Sequence, residues 1–233
     1  AVGESAPGQP ATVQTRYNVA SLTKPVAAET VLRLVAEGKV ALDASMATAW
    51  VDPDVAHDPR HRQLTPRLAL AHQTGFANWR DDAGLRFERD PGGAPGYSGE
   101  GYEYVAHYVQ RLTGTALDRH AERLLFAPLG MTNTSHTTPP ADRGVVAGSR
   151  THGTWLAPIS RAVPSAADDL STTAGDYARF LLSAMRNDGL DAALVAERGR
   201  VQADKRSETC AGIPASVCPC LLYTSDAADD GLG

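Results

Sequence analysis

The sequence predicts a buried helix at residues 25–37, directly after a Ser-x-x-Lys tetrad, Ser21-Leu22-Thr23-Lys24. Pro25 suits the first turn of this helix, where its missing N–H costs no hydrogen bond, and Gly38 stands just past the end. The apolar residues of the segment recur at helical spacing and define one face: Ala28, Val31, Leu32 and Val35. The pattern places Ser21 at or near the N-terminus of a core helix.

The tetrad can also carry chemistry. Helical spacing brings Lys24 one turn from Ser21 on the same face, so its amine can reach the hydroxyl and activate it as a nucleophile. Only three of the 22 basic residues are lysines: Lys24, Lys39 and Lys205. A buried lysine can lose its proton near neutral pH and an arginine cannot, which favours a chemical role for Lys24. The structural alternative is a helix-capping hydroxyl at Ser21, with Lys24 as a surface cation.

The composition is that of a globular protein with a small-molecule substrate. The chain has 233 residues, 42% hydrophobic content and a formal net charge of −5, which suits one large domain or two small ones. No basic stripe indicates nucleic acid, and no apolar run approaches the ~20 residues of a membrane span. The Gly/Pro-rich opening carries no signal-peptide pattern, and we interpret it as the interior of a longer protein.

Further helices are predicted by apolar periodicity at residues 65–72, 102–112, 116–126 and 173–185. Thr65-Pro66 and the capping box Thr173-x-x-Asp176 open two of them. Strand signals are short and lie at residues 12–15, 144–147 and 153–156. The predicted fold class is α/β (α+β), a helical region packed on an antiparallel sheet that is largely missing from this sequence.

The end of the chain is predicted to lie outside the fold. Three cysteines cluster there without a nearby histidine, so we expect no zinc site: Cys210, Cys218 and Cys220. From about residue 220 the sequence resembles the translation of a sequencing adapter. We therefore predict one partial domain in residues 1–205, a non-native or disordered tail in residues 206–233, and neither a metal nor another cofactor.

Four segments in order resemble the serine β-lactamase-related family, which groups class C β-lactamases, D-Ala-D-Ala carboxypeptidases and esterases of one fold. The segments are Asn18-Val19-Ala20-Ser21-Leu22-Thr23-Lys24, Leu70-Ala71-His72-Gln73-Thr74-Gly75-Phe76, Tyr97-Ser98-Gly99-Glu100-Gly101-Tyr102 and Pro128-Leu129-Gly130-Met131. Asn78-Trp79-Arg80 and the stretch from Asp169 to Asp176 are also similar, so the resemblance covers roughly residues 15–185. It implies a β-lactamase/transpeptidase-like fold and a serine hydrolase acting on a small ester, amide or peptide.

The resemblance assigns three catalytic residues. Ser21 is expected to be the acylated nucleophile, Lys24 its proton partner, and Tyr97 the general acid or base of the second motif. Each needs a tuned environment, because a lysine near its ordinary pKa of ~10.4 or a tyrosine near ~10 is a poor base at pH 7. The backbone N–H of Ser21 is expected to supply half of an oxyanion hole.

The substrate-binding residues implied by the resemblance are Ser98, Gly99 and Trp79. Gly99 stands where the family's Tyr-x-Asn motif has the asparagine that contacts the substrate's amide, and Tyr-Ser-Gly is frequent in esterase-like relatives. The third motif, Lys or His followed by x-Gly on a late strand, is absent, and with it a second oxyanion donor. We therefore favour an esterase or carboxypeptidase-like enzyme and expect the chain as given to be inactive.

Several alternatives stay open at this stage. The activity can be that of a true β-lactamase, or the protein can be an inactive relative that binds peptidoglycan-like peptides. His57 and His61 have metal-ligand spacing, but Pro59 and a polar setting favour a solvated loop. His72 is predicted to fix the turn at Gly75. Glu100 either tunes the catalytic residues or is simply a first-turn acid of a helix.

Two further expectations complete the sequence-based picture. The large aromatic residues Trp79, Trp155 and Tyr102 are expected in the core or in a cleft wall rather than in specific contacts. The family's habit of working outside the cytoplasm implies a periplasmic or extracellular location. Oligomeric state has no signal in the sequence.

Overall fold

The computed structural model of the protein describes residues 1–137, 147–151, 153–158 and 162–202. Its strands are β1 (Glu4–Ala6), β2 (Gln9–Pro10), β3 (Tyr17–Asn18), β4 (Ser149–Thr151), β5 (Thr154–Leu156) and β6 (Ser171–Thr172). Its helices are α1 (Thr23–Ala36), α2 (Pro66–Leu70), α3 (Gly99–Thr113), α4 (Leu117–Ala121), α5 (Ala174–Arg186) and α6 (Ala192–Gly199). Short 3₁₀ turns lie at Ala20–Leu22, Met46–Thr48, Pro53–Val55 and Pro59–Gln63.

The chain forms two compact units. The first contains Ala1–Arg33 and Leu117–Gly189, and therefore most of α1 together with α4, α5 and all six strands. The second contains Leu34–Ala116 and Leu190–Gly233, of which the structure describes residues up to 202. The predicted tail at 206–233, with its three cysteines, lies outside the described residues, as do Lys205 and residues 144–146.

The core of the first unit is built around the beginning of α1. A cluster of buried apolar side chains gathers from four parts of the chain: Val26, Ala121, Leu125, Phe126, Met131, Leu170 and Phe180. The helix predicted after the tetrad is confirmed, and its apolar residue Val31 is fully buried. The helix predicted at 116–126 is present as α4 followed by a π-helical turn at Glu122–Phe126.

A small antiparallel pair of strands leads into α1. Strand β3 pairs with β6 in the register Tyr17↔Thr172 and Asn18↔Ser171, and the backbone N–H of Val19 donates to the carbonyl of Leu170 at 2.9 Å. The strand predicted at residues 12–15 is wrong, because these residues form a turn closed by a Thr12–Thr15 backbone bond and the strand begins at residue 17. The strand signal at 153–156 is confirmed by β5, which pairs with β4.

The second unit packs α2 and α3 among irregular segments and short turns. Its core is largely aromatic and aliphatic: Met46, Val55, Leu64, Phe76, Leu85, Tyr102, Tyr104, Val105, Tyr108 and Val109. Thr65 caps α2 by accepting from the Leu68 N–H, as predicted, but the helix ends at Leu70 rather than at His72. Helix α3 begins three residues before its first predicted position, because the Ser98 hydroxyl provides its N-cap, and it ends at Gly114 with φ 72°.

Of the two helices nearest the C-terminal end of the described residues, apolar periodicity predicted α5 but not α6. The hydroxyl of Thr173 caps α5 by accepting from the Asp176 N–H at 3.1 Å, which confirms the start of the predicted helix. Within α5 the predicted apolar residue Phe180 is buried, whereas Leu181 and Met185 are exposed. Helix α6 was not predicted, and Asp191 caps it. No helix in the described ranges is long and apolar enough to cross a membrane.

Candidate active site

Ser21 and Lys24 lie together at the start of α1 in the first unit. Ser21 occupies the 3₁₀ turn Ala20–Leu22, which runs directly into the helix, and its side chain is buried. The Nζ of Lys24 lies 2.9 Å from the Ser21 Oγ and donates to the carbonyl oxygen of Ala167 at 3.1 Å. Lys24 is 0% exposed, so the alternative of a surface cation is wrong. At 2.9 Å a neutral amine could accept the hydroxyl proton directly.

The turn that carries Ser21 is held in a strained shape. Ala20 has a φ of 44°, a conformation that a residue with a Cβ rarely adopts. Its N–H donates to the Asn18 Oδ1 at 2.8 Å, and its carbonyl accepts from the Thr23 hydroxyl at 2.7 Å. The same Thr23 oxygen accepts from the Leu170 N–H at 2.9 Å. Sequence reasoning did not identify Asn18 or Thr23 as supporting residues, although both belong to the segment that carries the family resemblance.

The carbonyl that contacts Lys24 belongs to a tightly bonded loop. The Asp169 carboxylate accepts from the Ser165 N–H at 2.6 Å and lies 3.2 Å from the Nδ1 of His136. Burial raises the pKa of Asp169, and the hydrogen bond from His136 opposes that shift. Both side chains are almost fully buried. The loop therefore fixes Ala167 from within the first unit.

Tyr97 lies in the second unit on the loop that leads into α3. Its ring stacks on the imidazole of His72, with centroids 4.7 Å apart and planes 26° apart. The Ser98 N–H donates to the His72 Nδ1 at 3.0 Å, and the Gly96 N–H donates to the His72 carbonyl at 2.8 Å. His72 thus contacts the loop around Tyr97, and its predicted role at the Gly75 turn stays a prediction.

The three predicted substrate-binding residues are neighbours in the second unit, but they are not equivalent. The hydroxyl of Ser98 is buried, donates to the Ala77 carbonyl at 2.7 Å and caps α3, so its side chain has a structural role where substrate contact was expected. Trp79 is 44% exposed. A Cβ built on Gly99 would lie 2.6 Å from the Trp79 Cη2. The indole therefore occupies the space that a side chain at position 99 would enter.

Glu100 belongs to an ion-pair network of the second unit. Arg80 donates to the Glu100 carboxylate through Nε at 3.1 Å and Nη2 at 2.8 Å, and to the Asp52 Oδ2 at 2.9 Å. Hydrogen bonds from Arg80 to Glu100 and Asp52 raise the pKa of the guanidinium. Glu100 is thus the partner of a cation at the first turn of α3, which extends the reading of it as a first-turn acid.

The remaining candidates take structural places. His61 Nδ1 bonds to the Asp58 carbonyl at 2.7 Å within the Pro59–Gln63 turn. Among the described residues, no group of three His, Cys, Asp or Glu side chains could hold a metal ion. Tyr102 is buried and donates to the Leu70 carbonyl at 3.2 Å, as expected for a core aromatic. Trp155 is half-buried on β5.

The structure brings the predicted residues together in two groups. Ser21 and Lys24 form one group in the first unit. Tyr97, Ser98, Gly99 and Trp79 form the other in the second unit. Joint action of the two groups stays a prediction of the sequence.

Comparisons with known proteins agree on one fold. A family model described as Beta-lactamase matches residues 1–211. Esterase EstB from Burkholderia gladioli is 29% identical over 171 residues, which cover 60% of this chain and 43% of the esterase. The chain thus spans less than half of that relative.

Solved structures give the same result. A penicillin binding protein from Bacillus halodurans superposes with a TM-score of 0.70 at 20% identity, covering 86% of this chain and 69% of that one. A D-amino acid amidase from Ochrobactrum anthropi SV3 superposes with a TM-score of 0.69 at 24% identity, covering 84% and 63%. These similarities confirm the predicted β-lactamase/transpeptidase-like fold.

Proposed function

Because the chain belongs to the Beta-lactamase family, whose members include serine hydrolases, we propose that its protein hydrolyses a small carboxylic ester through an acyl-enzyme at Ser21. The observation that carries the proposal is the 2.9 Å separation between the Ser21 Oγ and the Lys24 Nζ. Both groups are buried at the beginning of a helix. A hydroxyl next to an amine is the arrangement that activates a weak nucleophile.

The proposed reaction has two halves. The Ser21 oxygen attacks the ester carbonyl carbon while its proton moves to the neutral amine of Lys24. The bond to the leaving alkoxide then breaks, and Tyr97 supplies the proton that releases it as an alcohol. Water attacks the acyl-enzyme by the reverse path, giving a carboxylic acid and free Ser21. The Ser21 N–H is proposed as one oxyanion donor.

An ester is preferred over a β-lactam because of the surroundings of Gly99. In the family's Tyr-x-Asn motif an asparagine at this place contacts the substrate's amide. Here the residue has no side chain, and the indole of Trp79 lies within 2.6 Å of the position that a Cβ would take. An ester lacks the amide N–H and carbonyl pair that the asparagine serves, so the loss costs an ester substrate less.

The nucleophile is tested by covalent labelling. A fluorophosphonate probe should label the full-length protein, and Ser21→Ala should abolish the label. Ser5→Ala is the matched control, because Ser5 is an equally buried serine of the same unit and its hydroxyl donates to the backbone carbonyl of Gln9 at 3.3 Å. Absence of labelling on a folded full-length protein would overturn the proposed enzyme function and favour a peptide-binding relative.

We also propose that the chain as given, which lacks a Lys/His-x-Gly motif, hydrolyses substrate slowly or not at all.

The substrate class is tested by comparing p-nitrophenyl esters with nitrocefin. Wild-type kcat/KM for nitrocefin should fall well below that for the best ester. Gly99→Asn combined with Trp79→Ala should raise nitrocefin turnover relative to ester turnover. The first change restores the asparagine side chain of the family's motif, and the second removes the indole that would clash with it. Trp79→Ala alone, which makes room without the amide, is the control. Comparable wild-type efficiencies on the two substrates would instead favour a β-lactamase.

The location follows from the same family. We propose that the protein works in the periplasm or outside the cell, where relatives of penicillin-binding type meet their substrates. Fractionation of producing cells against a periplasmic marker tests this. Recovery of the activity with a cytoplasmic marker would contradict it.

A further inference from the structure

We propose that His72 is a positioning residue for Tyr97, holding the peptide groups on both sides of it and supporting its ring. The inference rests on the catalytic role proposed above for Tyr97. His72 lies outside the Tyr97-Ser98-Gly99 motif and 25 positions before Tyr97, so the sequence does not indicate that it acts on Tyr97.

The backbone contacts come from one residue. The N–H of Gly96 donates to the His72 carbonyl at 2.8 Å, and the N–H of Ser98 donates to the His72 Nδ1 at 3.0 Å. These are the residues immediately before and after Tyr97. The main chain at Tyr97 is therefore fixed on both sides to a side chain and a carbonyl that are themselves 1% exposed.

The ring contacts continue the same support. The imidazole of His72 lies 4.7 Å from the Tyr97 ring and 5.2 Å from the ring of Tyr102, which belongs to α3. Tyr102 is anchored in turn through its hydroxyl to the Leu70 carbonyl of α2. Tyr97 thus stacks on a ring that is tied to the packing of the two helices.

The hydrogen bond also fixes the state of the imidazole. Because Nδ1 accepts from a backbone N–H, it carries no proton, and the neutral ring has its hydrogen on Nε2. His72 has a φ of 56°, which Asn tolerates better than other residues with a side chain. His72→Asn therefore keeps both the backbone conformation and an acceptor near the place of Nδ1. His72→Phe keeps a ring and removes the acceptor.

The test is a double-mutant cycle between positions 72 and 97 in the full-length protein. The readout is kcat/KM for a p-nitrophenyl ester, with thermal unfolding of each variant measured alongside. A misplaced catalytic group costs about 100-fold, so His72→Phe should lose about that factor and His72→Asn less. In the Tyr97→Phe background both substitutions should have almost no further effect, since the group being positioned is gone. His120→Asn, at a buried histidine of the other unit, should act equally in both backgrounds.

The outcomes separate this inference from the function beneath it. If Tyr97→Phe is strongly impaired and the position-72 losses are the same in both backgrounds, His72 has only a structural role and the inference is overturned while the proposed function stands. If Tyr97→Phe has full activity, both the role of Tyr97 and the inference fail. Histidine ¹⁵N spectra of the wild type provide a readout without any variant, because a proton on Nδ1 of His72 would contradict the geometry.

Discussion

Replacing Arg80 by methionine should destabilise the second unit by leaving two buried carboxylates without their cation. The side chains of Glu100 and Asp52 are each 6% exposed, and together they accept three hydrogen bonds from the Arg80 guanidinium. A fourth bond goes to Asp54, which is 39% exposed and can be solvated when the guanidinium is lost. Methionine keeps the length of the side chain, so the change removes charge and donors more than packing.

The structure bounds the size of the effect. Removing one partner of a fully buried ion pair costs about 3–5 kcal/mol. Arg80 is 39% exposed, and two backbone donors stay in place in the variant, from Arg80 N to Glu100 and from Asp54 N to Asp52. We therefore expect a loss of about 2–3 kcal/mol, which lies below that range and is in line with hydrogen bonds to charged groups. For a protein of this size such a loss lowers Tm by about 4–12 °C.

The assay is urea unfolding followed by far-ultraviolet circular dichroism, with thermal unfolding as a second measurement. Arg86→Met is the matched control, because Arg86 and Asp81 form an ion pair with about half of each side chain exposed. Its loss should stay below about 1 kcal/mol. Adding Glu100→Gln to Arg80→Met should recover part of the stability by removing one uncompensated charge. An Arg80→Met protein as stable as Arg86→Met would refute the reasoning.

Two further predictions follow from individual contacts. Thr23→Val leaves the buried Leu170 N–H without its acceptor and the Ala20 carbonyl without its donor. It should therefore lower the free energy of unfolding in urea by about 1–3 kcal/mol and slow acylation of the full-length protein. Thr23→Ser keeps the hydroxyl and should retain both the stability and the acylation rate. Bidentate hydrogen bonding from Arg60 lowers the pKa of Asp58 to about 2. The stabilising contribution of Asp58 is therefore fully present above its unfolded-state pKa of ~3.9 and is lost as the pH falls toward 2. An NMR titration should show that Arg60→Gln raises the pKa of Asp58.

Local sequence signals predicted the helices well because those signals act within a few residues. Thr65 and Thr173 sit three positions before the backbone N–H groups that they cap, so the caps can be read directly from the chain. The apolar spacing after Lys24 likewise predicted a buried α1, although Ala28 and Val35 are only half-buried and the polar Glu29 and Thr30 are buried as well. The same rules misplaced the strand before the tetrad, since Thr12 and Thr15 have high strand preference but bond to each other across a turn.

The support around the predicted catalytic residues could not be derived from the sequence in the same way. The partner of Lys24 at Ala167 lies 143 positions away, and the contact uses a backbone carbonyl, which any residue type could provide. Arg80 lies in a loop and Glu100 at the start of a helix, where charged residues are common. Only the fold reveals that the Glu100 carboxylate is buried against the Arg80 guanidinium. Residue identity signals which side chains can react, whereas tertiary contacts decide where those side chains are held.

Each of the two groups of predicted site residues has a non-glycine residue with positive φ beside it. The described part of the chain has three non-glycine residues with positive φ, namely Ala20, His72 and Asn187. Asn187 ends α5 in a left-handed cap, a place that suits its residue type. Ala20 has no such preference, and its left-handed conformation costs about 1–2 kcal/mol, whereas histidine adopts positive φ more often than most residues with a side chain. Ala20 adjoins Ser21, and His72 stacks on Tyr97. Each is held by hydrogen bonds on both sides, so the fold maintains strain next to the predicted reacting groups, as expected where geometry is under functional constraint.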